Sequence, residues 1–442
     1  MKKYLCLCVA ALLVLSCFSS CKPAGGLSEE SAAVEKSGVL RILADLDATR
    51  YGSGEAGKNA MTELLYQIRA NNGPKVEVEY VPRSGVEREA KITALQTEIM
   101  AGKGPDLFLV ACSSPEIAIY EIGGKHPFLF PYVESAMRNH VFLPLDSYIE
   151  QADHMEWGKL TERVMSAGRT EDGQMVLPMT FDFEATLFNF SDISFYDSLP
   201  ITFSDAVSSK DPALWAASTY NDTKFGDVLG SLADYETLQL NFSKEELSSA
   251  AAQSAHLRDL NLNNGLSGSP SHVSCLFSRH NHLRLSAPEV PSLSSEEGAA
   301  IVPLYNIRGG VTANVTSFAA INAATQHADE AFFVLDLLLS KKLQQGSFFS
   351  CVDGVPVDEE LLQKTAKVSL VPDDPNPWSF SDAGYQEYCR VRDQINAVKF
   401  YSPLDVALTE LYHDLTGQES EQEIKAVTDE LYLALQTMLA ES

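Results

Sequence analysis

Gly52 to Asn59 reads GSGEAGKN, which satisfies G-x-G-x-x-G and nearly satisfies the phosphate-loop pattern G-x-x-x-x-G-K-[ST]. Such a loop would cradle phosphates on its backbone N–H groups, while its hydroxyl held magnesium. Asn59 stands where that hydroxyl is needed, and several residues separate the preceding strand from the first glycine. No cofactor is therefore expected, and the loop reads as a cleft rim running into a helix N-terminus. His280-x-His282, flanked by Arg279 and Arg284, has side chains that could hold a metal or an anion. No Cys or carboxylate stands nearby at zinc spacing and H-E-x-x-H occurs nowhere, so no metal ligand is assigned. Asp182 and Glu184 could be the acid and base of a glycosidase, yet among 60 acidic residues such pairs arise by chance. There is no G-x-S-x-G elbow, and no catalytic residue is assigned.

The elements that must position any site are clearest near the start. VLRILADL (39–46) and VEVEYV (76–81) are strand-like, and between them Met61, Leu64, Leu65 and Ile68 recur at helical spacing. A second helix carries Ile92, Leu95 and Ile99, is closed by Gly102 and Gly104, and leads into the apolar strand DLFLVA (106–111). Strand, helix, strand, helix, strand predicts a parallel sheet with right-handed crossovers and ligands at the carboxyl ends of its strands. Those ends supply Asp45, Asp47 and Tyr51 after the first strand, and Ser113 and Ser114 after the third. As alternate residues, Asp45 and Asp47 point the same way if the extended geometry continues.

Charge narrows the function. The chain has 33 Lys and Arg against 60 Asp and Glu, a formal charge of -27, and its basic residues form no patch. A phosphate backbone would be repelled, so no nucleic-acid partner is expected. Its 442 residues predict two or three domains.

Residues 1–20 form a signal peptide, with two lysines, an apolar run from Tyr4 to Leu15, and then small residues and cysteines; the run is too short to span a membrane. Its end resembles a bacterial lipobox, in which the cysteine becomes the lipidated N-terminus. Cys17 and Cys21 both fit: Cys17 has the better apolar residues upstream, and Cys21 leads directly into the flexible tether of residues 21–37. Losing Lys2 and Lys3 with the signal deepens the charge by two, from -27 to -29. Beyond the signal Cys112, Cys275, Cys351 and Cys389 are too sparse to staple a fold of this size; a Cys351–Cys389 bridge and free buried thiols both remain open.

Farther on, VFLPLDSYIEQ (141–151), a turn at EDGQ (171–174) and MVLPMTFDFEATLFNF (175–190) suggest the chain crossing into a second lobe. An amphipathic helical stretch is expected near 229–240, a loop at 261–274, strands at 301–305 and 316–321, a helix at 328–343, and a mainly helical last hundred residues.

In order along the chain, ITALQTEIMAGKGPDLFLV (92–110), LPLDSYI (143–149), DGQMVLPMTFDFEATLFN (172–189), GGVTANVTSFAAINAATQHADEAFFVLDLLLSKKLQQG (309–346), GVPV (354–357) and DLTGQESEQEIKAVTDELYLAL (414–435) resemble extracellular solute-binding proteins of bacterial ABC importers, in the maltose- and oligosaccharide-binding group. LFSRHNHLRLSAPEV (276–290) departs from the family pattern and leaves the substrate class open. The resemblance implies an α/β fold of the periplasmic-binding-protein type II kind, with two doubly wound lobes joined by several hinge crossings. It places 38–181 plus 304–345 in the first lobe and 182–303 plus 346–442 in the second.

The resemblance also implies a monomeric receptor, held on the outer face of the cell membrane by its lipid, that captures a carbohydrate and delivers it to ABC permease subunits. A secreted glycosidase, and a surface lipoprotein that no longer binds small ligands, are the competing readings. A sugar presents hydroxyl rims and apolar faces, and so calls for paired polar groups and aromatic plates. Asp45, Asp47, Ser113, Ser114, Asp182 and Glu184 are candidates of the first kind, against capping or solvation. Tyr51, Phe181, Phe183, Tyr305, Trp378 in PDDPNPWSF and Tyr401 are candidates of the second, against core packing.

Overall fold

The computed structural model describes residues 38–46, 56–112, 128–189, 196–218, 224–264, 273–276, 299–350, 352, 354–361, 382–415 and 419–442. The chain opens with β1 (Val39–Asp45), α1 (Ala56–Ala70), β2 (Lys75–Tyr80), α2 (Gly85–Met100) and β3 (Leu107–Ala111). β1 pairs in parallel with both β2 and β3, the sheet that the alternating strand and helix patterns predict. All five residues of β3 are buried, as a strand covered on both faces requires.

After α3 (Val133–Arg138) the chain makes a short hairpin in which Arg169–Thr170 pairs with Gly173–Gln174, at the expected EDGQ turn. Gly173 has φ 122°, and a Cβ there would lie 2.0 Å from an Asp146 carboxylate oxygen, so glycine is required on both counts. β4 (Leu177–Asp182) and β5 (Glu184–Asn189) then follow almost without a break. Next come α4 (Phe225–Leu229), α5 (Lys244–Asn264), β6 (Val273–Leu276), β7 (Ala299–Pro303), β8 (Val311–Ile321) and α6 (Ala328–Leu338). The chain closes with β9 (Val355–Pro356), α7 (Asp382–Arg392), β10 (Ile395–Phe400), α8 (Pro403–Asp414) and α9 (Glu421–Ala440).

The main sheet has the order β9-β4-β8-β3-β1-β2, with β10 also pairing with β8. β8 is the strand on which β3, β4 and β10 converge. Its last five residues run antiparallel to β3, and Val311–Val315 run parallel to β10. All eleven of its residues are buried. A separate antiparallel sheet has the order β6-β5-β7, so β4 and β5 carry the chain directly from one sheet to the other. The expected division put 346–442 in the second lobe; β9 and β10 from that stretch lie in the main sheet, where they pair with β4 and β8.

Two apolar cores underlie this α/β architecture. The larger includes Ile42, Phe108, Phe318 and Leu335, and the smaller includes Phe225, Leu247, Leu404, Leu408 and Leu435. Phe318 of β8 meets Phe400 of β10 edge to face with ring centroids 5.5 Å apart, joining the crossing strands by aromatic contact.

Two elements differ from expectation. The stretch near 229–240 is not one helix: α4 ends at Gly230, whose φ is 85°, and a small hairpin follows in which Ala233–Asp234 pairs with Gln239–Leu240. The Asp234 carboxylate accepts from the N–H groups of Glu236 and Thr237, a turn that competes with helix. In the mainly helical last hundred residues, INAVKF forms β10, because its β-branched and aromatic residues find β8 as a partner. Replacing Phe318, 1% exposed, with Ala should cost about 3–5 kcal/mol in urea unfolding, while Ala at the exposed Tyr66 should stay within about 0.5 kcal/mol. Equal losses would contradict the placement of the core.

Candidate functional site

Asp45 ends β1 and is 1% exposed. Its two oxygens accept from the Arg88 guanidinium at 2.7 and 2.8 Å, and Arg88 also donates to the Pro82 carbonyl. This fork fastens α2 to the strand end, so the side chain expected to meet a ligand is engaged with its own protein. Cys112 follows β3, half-buried and free, with its thiol pushed up by burial and by the nearby charges of Glu134 and Asp45.

The densest polar cluster lies where the crossing strands meet the smaller core. Asp182 ends β4, Asn314 is on β8, Lys399 on β10, Asp227 on α4 and Asp405 on α8, and all are at most 5% exposed. Lys224 stands just before α4 and bridges them, with Nζ 3.1 Å from Asp182 Oδ1 and 3.7 Å from Asp227 Oδ2. Lys399 sits 3.1 Å from Asp227 Oδ1 and is paired with Asp405. Asn314 donates from Nδ2 to Asp182 at 3.3 Å and to Asp227 at 3.0 Å. The Tyr401 hydroxyl accepts from Lys224, and both ammonium groups lie 5.2 Å from its ring centre.

Local structure explains how these groups converge. Ser402 and Asp405 cap α8, the Ser402 N–H donating to the Asp405 carboxylate at 3.1 Å, with Pro403 in the first turn. The cap fixes Asp405 so that its other oxygen faces Lys399. A Cβ at Gly226 would lie 2.7 Å from that oxygen, so glycine lets α4 come this close to α8.

Burial pushes the Asp182 carboxyl up, Lys224 draws it down, and the charge of Asp227 adds to the rise. Burial alone would depress Lys224, but Asp182, Tyr401 and Asp227 more than reverse that, and the ammonium is held well above its ordinary range. Lys224 therefore carries the charge around which the cluster is arranged.

α3 also contacts the small hairpin and the end of the chain. Tyr132, at the start of α3, has its ring centre 6.0 Å from that of Tyr235 in the small hairpin. Arg138 lies 3.6 Å from Glu236, and Ser135 Oγ is 3.2 Å from Ser442 Oγ at the end of the chain. Glu134 lies on α3 as well. Burial drives its carboxyl up to about 7; the N–H groups of Glu134 and Phe400 hold it down, Asp405 raises it and Lys399 opposes.

Of the residues named from sequence, Asp182 and Tyr401 come together on Lys224. Phe181 is fully buried in the larger core beside β9, and Phe183 is also fully buried, its ring stacked 6.3 Å from Tyr388. Glu184 is 4% exposed. Tyr305, 3% exposed, donates from its hydroxyl to Gln394 at 2.9 Å, and burial pushes that hydroxyl up to about 12. Asp47, Tyr51, Ser113, Ser114 and Trp378 lie outside the described residues, as do Cys17, Cys21, Cys351 and His280 to Arg284. Sequence reading missed Tyr132, Glu134, Lys224, Asp227, Tyr235 and Lys399. The only signal was FPYVESAM, where an aromatic residue and an acid flank the start of a helix after proline. Among the described residues no three or more His, Cys, Asp or Glu side chains are arranged to hold a metal ion. The seam offers carboxylates, ammonium groups and tyrosines, the means of holding a polar molecule by hydrogen bonds and ring contact.

Lys224→Met should cost about 3–5 kcal/mol, because it leaves Asp182 buried without its cation and Asp227 with Lys399 alone. The deficit should shrink as pH falls and Asp182 takes up a proton, so urea unfolding at pH 8 and pH 5 tests the assignment. A deficit independent of pH would count against Lys224 as the centre of the cluster.

Neither a protein-family model nor a curated protein matches the sequence. Solved structures do match in fold. An extracellular solute-binding protein of family 1 from Alicyclobacillus acidocaldarius is 12% identical with a TM-score of 0.57, over 90% of this chain and 98% of its own. A periplasmic oligogalacturonide-binding protein from Yersinia enterocolitica is 12% identical with a TM-score of 0.54, over 91% and 100%. The GacH receptor of Streptomyces glaucescens, solved unliganded and with acarbose, is 14% identical with a TM-score of 0.51, over 91% and 99%. Over nine-tenths of its length the chain thus has the two-lobed α/β fold of extracellular solute-binding proteins.

Proposed function

We propose that this chain is a solute receptor that closes its two lobes over a carbohydrate and releases it unmodified to an ABC permease. The observation that carries this reading is the polar seam. Strands of the main sheet lead into it, and on α3 Tyr132 lies against Tyr235 of the small hairpin while Glu134 lies within reach of the charge of Asp405. Hydrogen-bonding carboxylates beside tyrosine rings suit a ligand with hydroxyl rims and apolar faces. The similar structures named for an oligogalacturonide and for acarbose support a sugar over other polar solutes. A lipid on Cys17 or Cys21 would hold a monomeric receptor on the outer face of the membrane through the 21–37 tether.

Asp47, Tyr51, Ser113, Ser114 and Trp378 are proposed to complete the ligand contacts, together with Asp182 and Tyr401 through the cluster around Lys224. Closure responds to a ligand only through its differential affinity for open and closed forms. In a panel of neutral, acidic and amino oligosaccharides, a true ligand should raise the melting temperature; at 100 times its Kd the added stability is about 2.7 kcal/mol. Product analysis after incubation should recover it intact. Released monosaccharide would replace the receptor reading with a glycosidase, and indifference to every sugar would remove the carbohydrate assignment.

A further inference from the structure

We propose that Glu134 is a proton-operated latch across the seam, favouring closure of the lobes when it is protonated. This rests on the two-lobe receptor reading above, but concerns what closes the lobes when no ligand is present. Glu134 Oε2 is shielded from solvent and has no hydrogen-bond partner among the described residues. Only in its neutral form does the carboxyl carry a proton that could serve as a donor, so the ionised form is the costlier one to bury.

The groups facing Glu134 come from several elements. Cys112 follows β3, with Asp45 behind it. Lys399 and the Phe400 N–H come from β10, and Asp405 comes from the capped start of α8. Tyr235 comes from the hairpin after α4, where the charges of Glu134 and Asp405 both act on its hydroxyl. Tyr132 adjoins Glu134 on its own element and lies against Tyr235. Lys399 is the cation facing Glu134 in this set, and it is already engaged by Asp227 and Asp405. An ionised Glu134 thus shares a committed cation and opposes Asp405. In the proposed division Tyr235, Asp405 and Ser442 belong to the second lobe, and Tyr235 packs on the smaller core, so that cost arises when the lobes meet and is relieved when water enters between them.

The direction follows from linkage. Burial raises the Glu134 carboxyl from 4.5 to about 7, and the share of that rise that closure supplies makes the closed form bind more protons. Closure is then favoured as pH falls through that window and disfavoured as pH rises through it. Between pH 8 and pH 6 the ratio of closed to open molecules should rise, by up to about tenfold if closure supplies the whole shift.

The test uses ligand-free protein carrying spin labels, introduced as non-canonical amino acids, at the exposed Met100 and Val427. Pulsed electron resonance at pH 8 and pH 6 reads the distance populations. The unsubstituted protein should move toward the shorter distance at pH 6. Glu134→Gln, which is neutral at both pH values, should hold the shorter distance at both, and circular dichroism confirms that it is folded. Arg138→Ala, which removes the exposed pair with Glu236, should keep the pH response and serves as the seam control. A pH response that survives in Glu134→Gln, or is missing from the unsubstituted protein, overturns the latch. If a sugar still shortens the distance in that second case, the receptor reading stands without the latch. A distance fixed under every condition removes both.

Discussion

Lys224 is the charge on which the junction depends. A buried ammonium is costly unless carboxylates surround it, and here they arrive from separate parts of the chain. Asp182 comes from the end of β4 and Asp227 from α4, with Lys399 linking Asp227 onward to Asp405 on α8. β4, β8 and β10 therefore cannot separate from the smaller core without exposing or stranding charge. Apolar packing along β8 would tolerate some sliding, whereas the charge pairs admit one arrangement. They make the junction specific, at some expense in stability.

The walls of the seam are held by different means. On the first lobe, Arg88 locks the end of β1 through a buried fork. On the second, a Ser402–Asp405 cap aims one carboxylate oxygen at its own helix and the other at Lys399. Across the gap the contacts become weaker and more exposed: two tyrosine rings, the Arg138–Glu236 pair and two serine hydroxyls. Firm walls with light contacts between them fit the proposed opening and closing.

Much of the architecture was legible because its signals are local. Met61, Leu64 and Ile68 sit at helical spacing, and VLRILAD and LFLVA are long enough apolar runs to be strands. The EDGQ turn could be read because a glycine was needed beside Asp146. β10 was hidden because INAVKF is short and lies between helices, and only its pairing with β8 makes it a strand. The hairpin at 233–240 was hidden because an amphipathic pattern conceals a carboxylate that turns the backbone.

The sequence by itself determined the order of strands and helices, the parallel start of the sheet, the acidic balance and the pool of polar residues available to a site. Only tertiary structure decided their use. Asp182 and Tyr401 are more than two hundred residues apart and join through Lys224, an unremarkable lysine in NDTKFGD. Asp45 looked like a ligand contact until α2 delivered Arg88, and Glu134, which the sequence did not single out, gained its significance only from the charges of Asp405 and Lys399. The physical reason is that charge and hydrogen bonding act across space. Periodicity records which face of an element is buried, but not which charged group from a distant element will meet it there.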